Sequence, residues 1–191
     1  MKAALGTKGR AIDVNDAVKG ANPYFLGWGD STAEFKENCQ RCVIAYEARR
    51  RGYDVAALPT FPGDELPKGD NYARAFKGYS ITPVGATTAA KTQKNLESQM
   101  HSWGTGSRAI VSIPGHVFNA ENVRGKIRYV DAQTGTVYSS SNVFSRLTKN
   151  GLRSVGIVRT DNLKFSDDAK KYVTPVTDTM RRIEQNRRNK K

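Results

Sequence analysis

The hydrophobic period changes once along this chain, and that change limits its fold more than any other feature. Up to Gly104 and Gly106 the clearest segments repeat as helices do; beyond them apolar residues alternate. Arg108–Ile113, Gly115–Glu121, Lys126–Asp131 and Ser154–Thr160 read as strands joined by short turns. Helices first and then consecutive strands imply an α+β fold with a mostly antiparallel sheet. A chain of 191 residues holds one domain, or one domain and a tail. No run approaches the roughly 20 apolar residues of a membrane span. Two cysteines exclude a disulfide-stapled scaffold.

The strongest helix is Cys39–Arg51, with Asn38 at its N-cap and Gly52 at its C-cap. A short strand, 53–58, follows and stops at Pro59. The stretch Thr60–Gly85 reads as a long loop with one helical turn at Tyr72–Phe76. A second helix covers about Thr87–His101. Residues 1–30 read as irregular, with one helical turn near Val14–Lys19.

Charge is uneven. The net formal charge is +13, and residues 180–191 contribute six basic side chains against Glu184 alone. This end reads as a basic helix or tail that can touch nucleic acid through counterion release, or simply keep the chain soluble. Met1–Ile12 lacks the apolar run of a secretory signal, so the expected location is the cytoplasm of a host or target cell, or a virion.

The hairpin around Asn122–Gly125 carries the chemistry. The expected turn is the four-residue Asn122-Val123-Arg124-Gly125, which sets Glu121 opposite Lys126 and His116 opposite Asp131. A two-residue turn, Arg124-Gly125, sets Gln133 opposite His116 instead. Both registers keep His116, Phe118, Ala120, Ile127, Tyr129 and Asp131 on one largely apolar face. The other face carries Asn119, Glu121, Lys126 and Arg128. The apolar stripe of the Cys39 helix is expected to pack on the first face. That would bring Cys39, at a helix N-terminus that favours a thiolate, to His116 and Asp131 as nucleophile, base and orienting carboxylate. The Cys39 N–H can serve an oxyanion, with a side-chain amide of Asn38 or Gln40 as second donor and Gln133 as an orienting group.

Cys42, one turn deeper, is the rival nucleophile. A zinc site on Cys39-x-x-Cys42 lacks the usual second ligand pair, since His101 and His116 do not have His-x3–5-His spacing. No Gly-rich phosphate loop is present, and no metal or cofactor is expected. Thr60–Gly85 and Ser139–Asn150 are the expected walls of a substrate site.

Asn38-Cys39-Gln40-Arg41-Cys42-Val43, with Tyr46-Glu47 and Arg49-Arg50-Arg51-Gly52-Tyr53-Asp54-Val55, resembles the helix that carries the nucleophile in papain-fold toxin domains, the toxin glutamine deamidase family. Gly115-His116-Val117-Phe118 with Glu121, and Tyr129-Val130-Asp131-Ala132-Gln133-Thr134-Gly135, resemble that family's His and Asp/Gln segments in the same order. Arg159-Thr160-Asp161-Asn162-Leu163 resembles its closing strand. The chain departs from the pattern at Ala132, where relatives often have Pro. The resemblance spans about Asn22–Leu163 and divides the chain into an extension, 1–21, a papain-like domain, 22–165, and a basic end, 166–191. It implies a cysteine hydrolase acting on carboxamide bonds through Cys39, His116 and Asp131. Deamidation of a protein glutamine side chain is the expected reaction. Peptide cleavage and transamidation share its intermediate. Such domains occur in polymorphic toxins and phage head-associated proteins. A non-enzymatic, nucleic-acid-binding phage or virion protein is therefore the alternative expectation.

Overall fold

A computed structural model describes residues 5–30, 33–64, 66, 69–138 and 142–179. Helix α1 (Val14–Ala21) is capped by the Asp13 carboxylate, which accepts from the N–H groups of Asn15 and Asp16. A single turn, α2 (Ala33–Lys36), leads into α3 (Cys39–Arg50). Gly52 ends α3 at φ +95, a left-handed backbone that lets its N–H reach Arg49 O. A Cβ there would lie 2.4 Å from the Gly9 carbonyl oxygen. Then come β1 (Val55–Ala57), β2 (Thr82–Pro83) and α4 (Ala89–Trp103), whose N-cap Thr88 accepts from Lys91 N–H.

The sheet follows: β3 (Arg108–Ile113), β4 (His116–Val123), β5 (Lys126–Asp131), β6 (Thr136–Tyr138), then a short α5 (Lys149–Arg153) and β7 (Gly156–Arg159). Among the described residues these form one six-stranded sheet in the order β2-β7-β3-β4-β5-β6, antiparallel at every pairing. A last strand, β8 (Val173–Pro175), pairs with β1. The α+β expectation therefore holds, and the four predicted strands lie where the alternation placed them. The additional strands β2, β6 and β8 are two or three residues long, too short for period two to register.

Two expectations need correction. The hairpin turn is the two-residue Arg124-Gly125, with Val123 opposite Lys126, not the four-residue alternative. Arg124 (φ 53) and Gly125 (φ 81) both take left-handed backbone, the type I′ geometry that matches strand twist. Asn122 Oδ1 accepts from Gly125 N–H at 2.9 Å and fixes the turn. Arg124 carries a Cβ, so this left-handed conformation costs about 1–2 kcal/mol. Arg124→Asn is expected to stabilise the fold by about 0.5–1 kcal/mol, read as a Tm rise of about 2 °C.

The second correction concerns faces. Helix α3 packs on the face of β4 and β5 that carries Val117, Asn119, Glu121 and Val130. The Phe118, Ala120 and Tyr129 face is instead covered by α4 through Leu96 and Met100. Every residue from Val117 to Asn122 is buried, so the sheet lies between two helical layers. The polar residues of the α3 face find partners across the interface. Asn119 Nδ2 donates to Val43 O, and Glu121 accepts from Tyr46 Oη at 2.7 Å and from the Arg50 guanidinium. Paired in this way, buried polar groups are tolerated, and composition alone gives them the look of a solvent face. Glu47 is likewise buried between Arg51 (2.7 Å) and Arg108 (2.8 Å). Burial opposes its charge, but the hydrogen bonds and charges of Arg108 and Arg51 outweigh that and hold its carboxyl below the ordinary range.

Leu5, Val14, Ala17, Val18 and Ala21 pack into the same core cluster as Cys42, Val43 and Tyr46 of α3. Of the expected basic end, 166–191, the part described includes β8, which pairs with β1, while residues 180–191 lie outside the described residues.

Candidate active site

Cys39 is the first residue of α3, so its N–H has no intrahelical acceptor and faces the positive end of the helix dipole. Asn38 occupies the N-cap position, and its carbonyl accepts from the N–H groups of Arg41 and Cys42. Its side chain makes no cap bond, contrary to the usual use of Asn there. The carboxamide turns inward: Nδ2 donates to Asn22 Oδ1 at 3.0 Å, and Oδ1 accepts from Cys42 Sγ at 3.2 Å. A capping side chain would compete for the same first-turn N–H groups that stabilise a thiolate or an oxyanion.

His116 follows a tight Pro114-Gly115 turn, in which Gly115 takes φ +79. The ring therefore stands at the very start of β4. Asp131 is the last residue of β5, one position beyond Val130, the partner of Asn119, so the register sets it opposite Phe118, two residues from His116. His116 and Asp131 are thus diagonal neighbours on one face rather than directly opposed. The imidazole is long enough to span the offset, and Nε2 lies 3.1 Å from Asp131 Oδ2. Asp131 Oδ1 accepts from Gln133 N–H at 3.0 Å and Thr134 N–H at 3.4 Å, so the turn after β5 holds the carboxylate in place. The turn forms with Ala132 at its corner, buried in the core.

The tip of α3 reaches the end of the sheet where β4 begins and β5 finishes. The Cys39 thiol therefore meets the ring past the sheet's edge, not through a shared face. With Nε2 on Asp131, Nδ1 is the ring nitrogen left for the Cys39 hydrogen bond. Burial works against a charged His116. The hydrogen bonds and charges of Asp131 and Cys39 outweigh it and push the ring's pKa up to about 10. Cys42 is fully buried, and burial pushes its thiol well above the ordinary value, with the neighbouring Cys39 and Asp131 charges adding to the effect.

A cleft of about 800 Å³ opens over this point. Residues 36–41 line one side and residues 112–117 the other, with Thr60, Leu66, Gly69, Gln133 and Ser154 completing it. Trp28 stands on its rim, 61% exposed. The Thr60–Gly85 loop therefore contributes only its first part, anchored by Arg41, whose Nη1 donates to Pro59 O at 2.8 Å. None of the described residues of Ser139–Asn150 lines the cleft; Ser112–Val117 takes that place because the turn that presents His116 must border it.

The amide expectations divide. Asn38 is spent inside the protein and presents no donor to the cleft. Gln133 gives its Nε2 to Lys36 O at 2.6 Å, and orients Asp131 through its backbone N–H. Gln40 lines the cleft, and its Oε1 accepts from Tyr72 N–H at 3.1 Å. Asn22 was missed by sequence reading. It sits just past α1 with nothing in its surroundings to mark it, and only its three-dimensional partners reveal it. Among the described residues no group of three or more His, Cys, Asp and Glu side chains is placed to hold a metal ion.

A family model described as papain fold toxin 1, glutamine deamidase, matches residues 37–136, just over half of the chain. The chain belongs to this family. The matched segment begins two residues before Cys39 and includes His116 and Asp131. Membership agrees with the α+β architecture and identifies a deamidase of the cysteine-hydrolase class. No curated protein and no solved structure matches the chain.

Proposed function

We propose that the protein is a protein-glutamine deamidase with Cys39 as nucleophile. The observation that carries this reading is one imidazole held between Asp131 and Cys39 at a helix tip, open to a cleft. The Cys39 thiolate attacks the carboxamide carbon of a glutamine side chain, and the Cys39 N–H faces the oxygen as its charge develops. His116 donates its Nδ1 proton to the departing nitrogen, and ammonia leaves. Asp131 holds the ring with Nε2 protonated and Nδ1 toward the sulfur.

The second half follows from the same electrostatics. Once the sulfur is acylated, the thiolate no longer helps to hold a proton on His116. The ring's affinity for protons falls, and it can take one from water. The resulting hydroxide attacks the thioester carbon, glutamate leaves, and the proton on Nδ1 re-forms the ion pair with the thiolate.

Mass spectrometry of proteins exposed to the enzyme tests the reaction. A gain of roughly 1 Da at a glutamine, where OH replaces NH2, is the expected result. Cleaved chains in its place would assign a protease using the same acyl-enzyme. Products joined through an isopeptide bond would assign a transamidase.

The net charge of +13 favours a second role, contact with nucleic acid through the basic C-terminal segment. Binding to DNA that weakens steeply with added salt is the expected signature, and no binding at low salt rejects it.

A further inference from the structure

Asn22 lies outside the segment matched to the family, yet it touches both sides of the site. Asn22 is 5% exposed, and both polar atoms of its side chain are engaged. Nδ2 donates to Gln133 O at 3.0 Å, to Phe35 O at 3.2 Å and to Asn38 Oδ1 at 3.4 Å. Oδ1 accepts from Asn38 Nδ2 at 3.0 Å. Phe35 and Asn38 belong to the segment that enters α3, while Gln133 belongs to the turn whose N–H groups hold Asp131. Gln133 reinforces the tie by donating Nε2 to Lys36 O.

The helix tip and the Asp131 turn come from elements that do not pair with one another. Helix α3 lies on the face opposite to His116 and Asp131, and its tip must hold a fixed distance from them past the sheet's edge. We infer that Asn22 is a positioning residue, which sets the spacing between the Cys39 tip and the Asp131 carboxylate by bridging Asn38 and Gln133. This rests on the deamidase reading only for its effect on rate; the spacing itself is a property of the folded protein.

Asn22 touches no reacting atom, so its loss acts through Asp131 and Cys39. An error of about 1 Å between reacting groups can cost about a hundredfold in rate. Asn22→Ala is expected to lower kcat by about ten- to a hundredfold with KM within about twofold. A structural role alone would lower Tm and leave the His116 titration in place. The deciding readout is therefore the His116 ring followed by NMR, distinguished from His101, the one other histidine. In the parent the midpoint is expected near 10. In Asn22→Ala it falls toward the ordinary histidine value near 6.5, because the Asp131 and Cys39 contacts loosen together.

Asn119→Ala provides the matched control. It removes a buried Asn from the α3–β4 interface, away from the cleft, and is expected to lose stability while keeping the parent midpoint. If Asn22→Ala does not fold, Asn22→Ser, whose hydroxyl can serve one acceptor, is read in the same way. A parent-like midpoint and kcat in a folded Asn22 variant overturns the inference, as does a change no larger than that of Asn119→Ala. A parent that shows the raised midpoint but deamidates nothing sinks the deamidase reading and leaves the titration to judge Asn22 alone.

Discussion

Cys39→Ala is expected to lower glutamine deamidation by about 10⁴-fold or more, while its Tm stays within about 2 °C of the parent. The thiol lies at a helix tip, partly exposed in the cleft, so its loss leaves little empty volume. Cys42→Ala should do the reverse. Cys42 is fully buried and its thiol donates to Asn38 Oδ1, so removing it is expected to cost about 1 kcal/mol with activity within a few-fold of the parent. Rates measured with each folded variant on one glutamine substrate decide the matter. An active Cys39→Ala ends the assignment, and loss confined to Cys42→Ala moves the nucleophile one turn along α3.

Asp131→Asn is expected to lower kcat/KM by about 10³–10⁴-fold through the His116 tautomer. Asp131 accepts from His116 at Nε2, which keeps Nδ1 directed at Cys39. Two backbone N–H groups already occupy Oδ1, so an amide in this place keeps its oxygen on the turn and turns NH2 toward the ring. Nε2 must then accept, and the ring's one proton moves to the wrong nitrogen for the neutral stage of the cycle. The pH profile should move as well. In the parent, the protonated His116 is lost only as pH rises through about 10, so the alkaline limb of kcat/KM belongs there. In Asp131→Asn that limb moves toward neutrality. Stability follows the same sign. A folded-state value raised above the unfolded one near 6.5 contributes stability that is complete below 6.5 and disappears as pH climbs to about 10. The melting temperature of the parent should therefore fall across pH 6.5–10 more than that of Asp131→Asn. A profile that the substitution leaves unmoved would remove Asp131 from this role.

Several features were legible because they depend on a few neighbouring residues. Cys39 at the start of α3 and the left-handed Gly52 that stops it follow from local rules. The shared face of His116 and Asp131 followed from side-chain parity, which both hairpin registers preserve. Parity is insensitive to a two-residue slip, so the pair survived the wrong choice of turn and became diagonal instead of opposed.

What parity cannot say is which neighbour covers a face. Asn119 and Glu121 are polar by composition, and alternation assigns such a strand face to water. Here Asn119 Nδ2 and the Glu121 carboxylate find partners on α3, and that pairing offsets much of the cost of burial. The roles of Asn38, Gln133 and Asn22 were equally hidden. A carboxamide is donor and acceptor in any setting, and its task depends on which atoms lie about 3 Å away.

The order of helix and strands, the position of the sulfur at a helix end, and the common side of ring and carboxylate were written in the amino-acid order, because turn geometry and side-chain period act over a few residues. The covering of each sheet face, the hairpin register, and the link through Asn22 between residues 111 positions apart were decided only on folding, because burial and hydrogen-bond pairing join groups that no local rule connects.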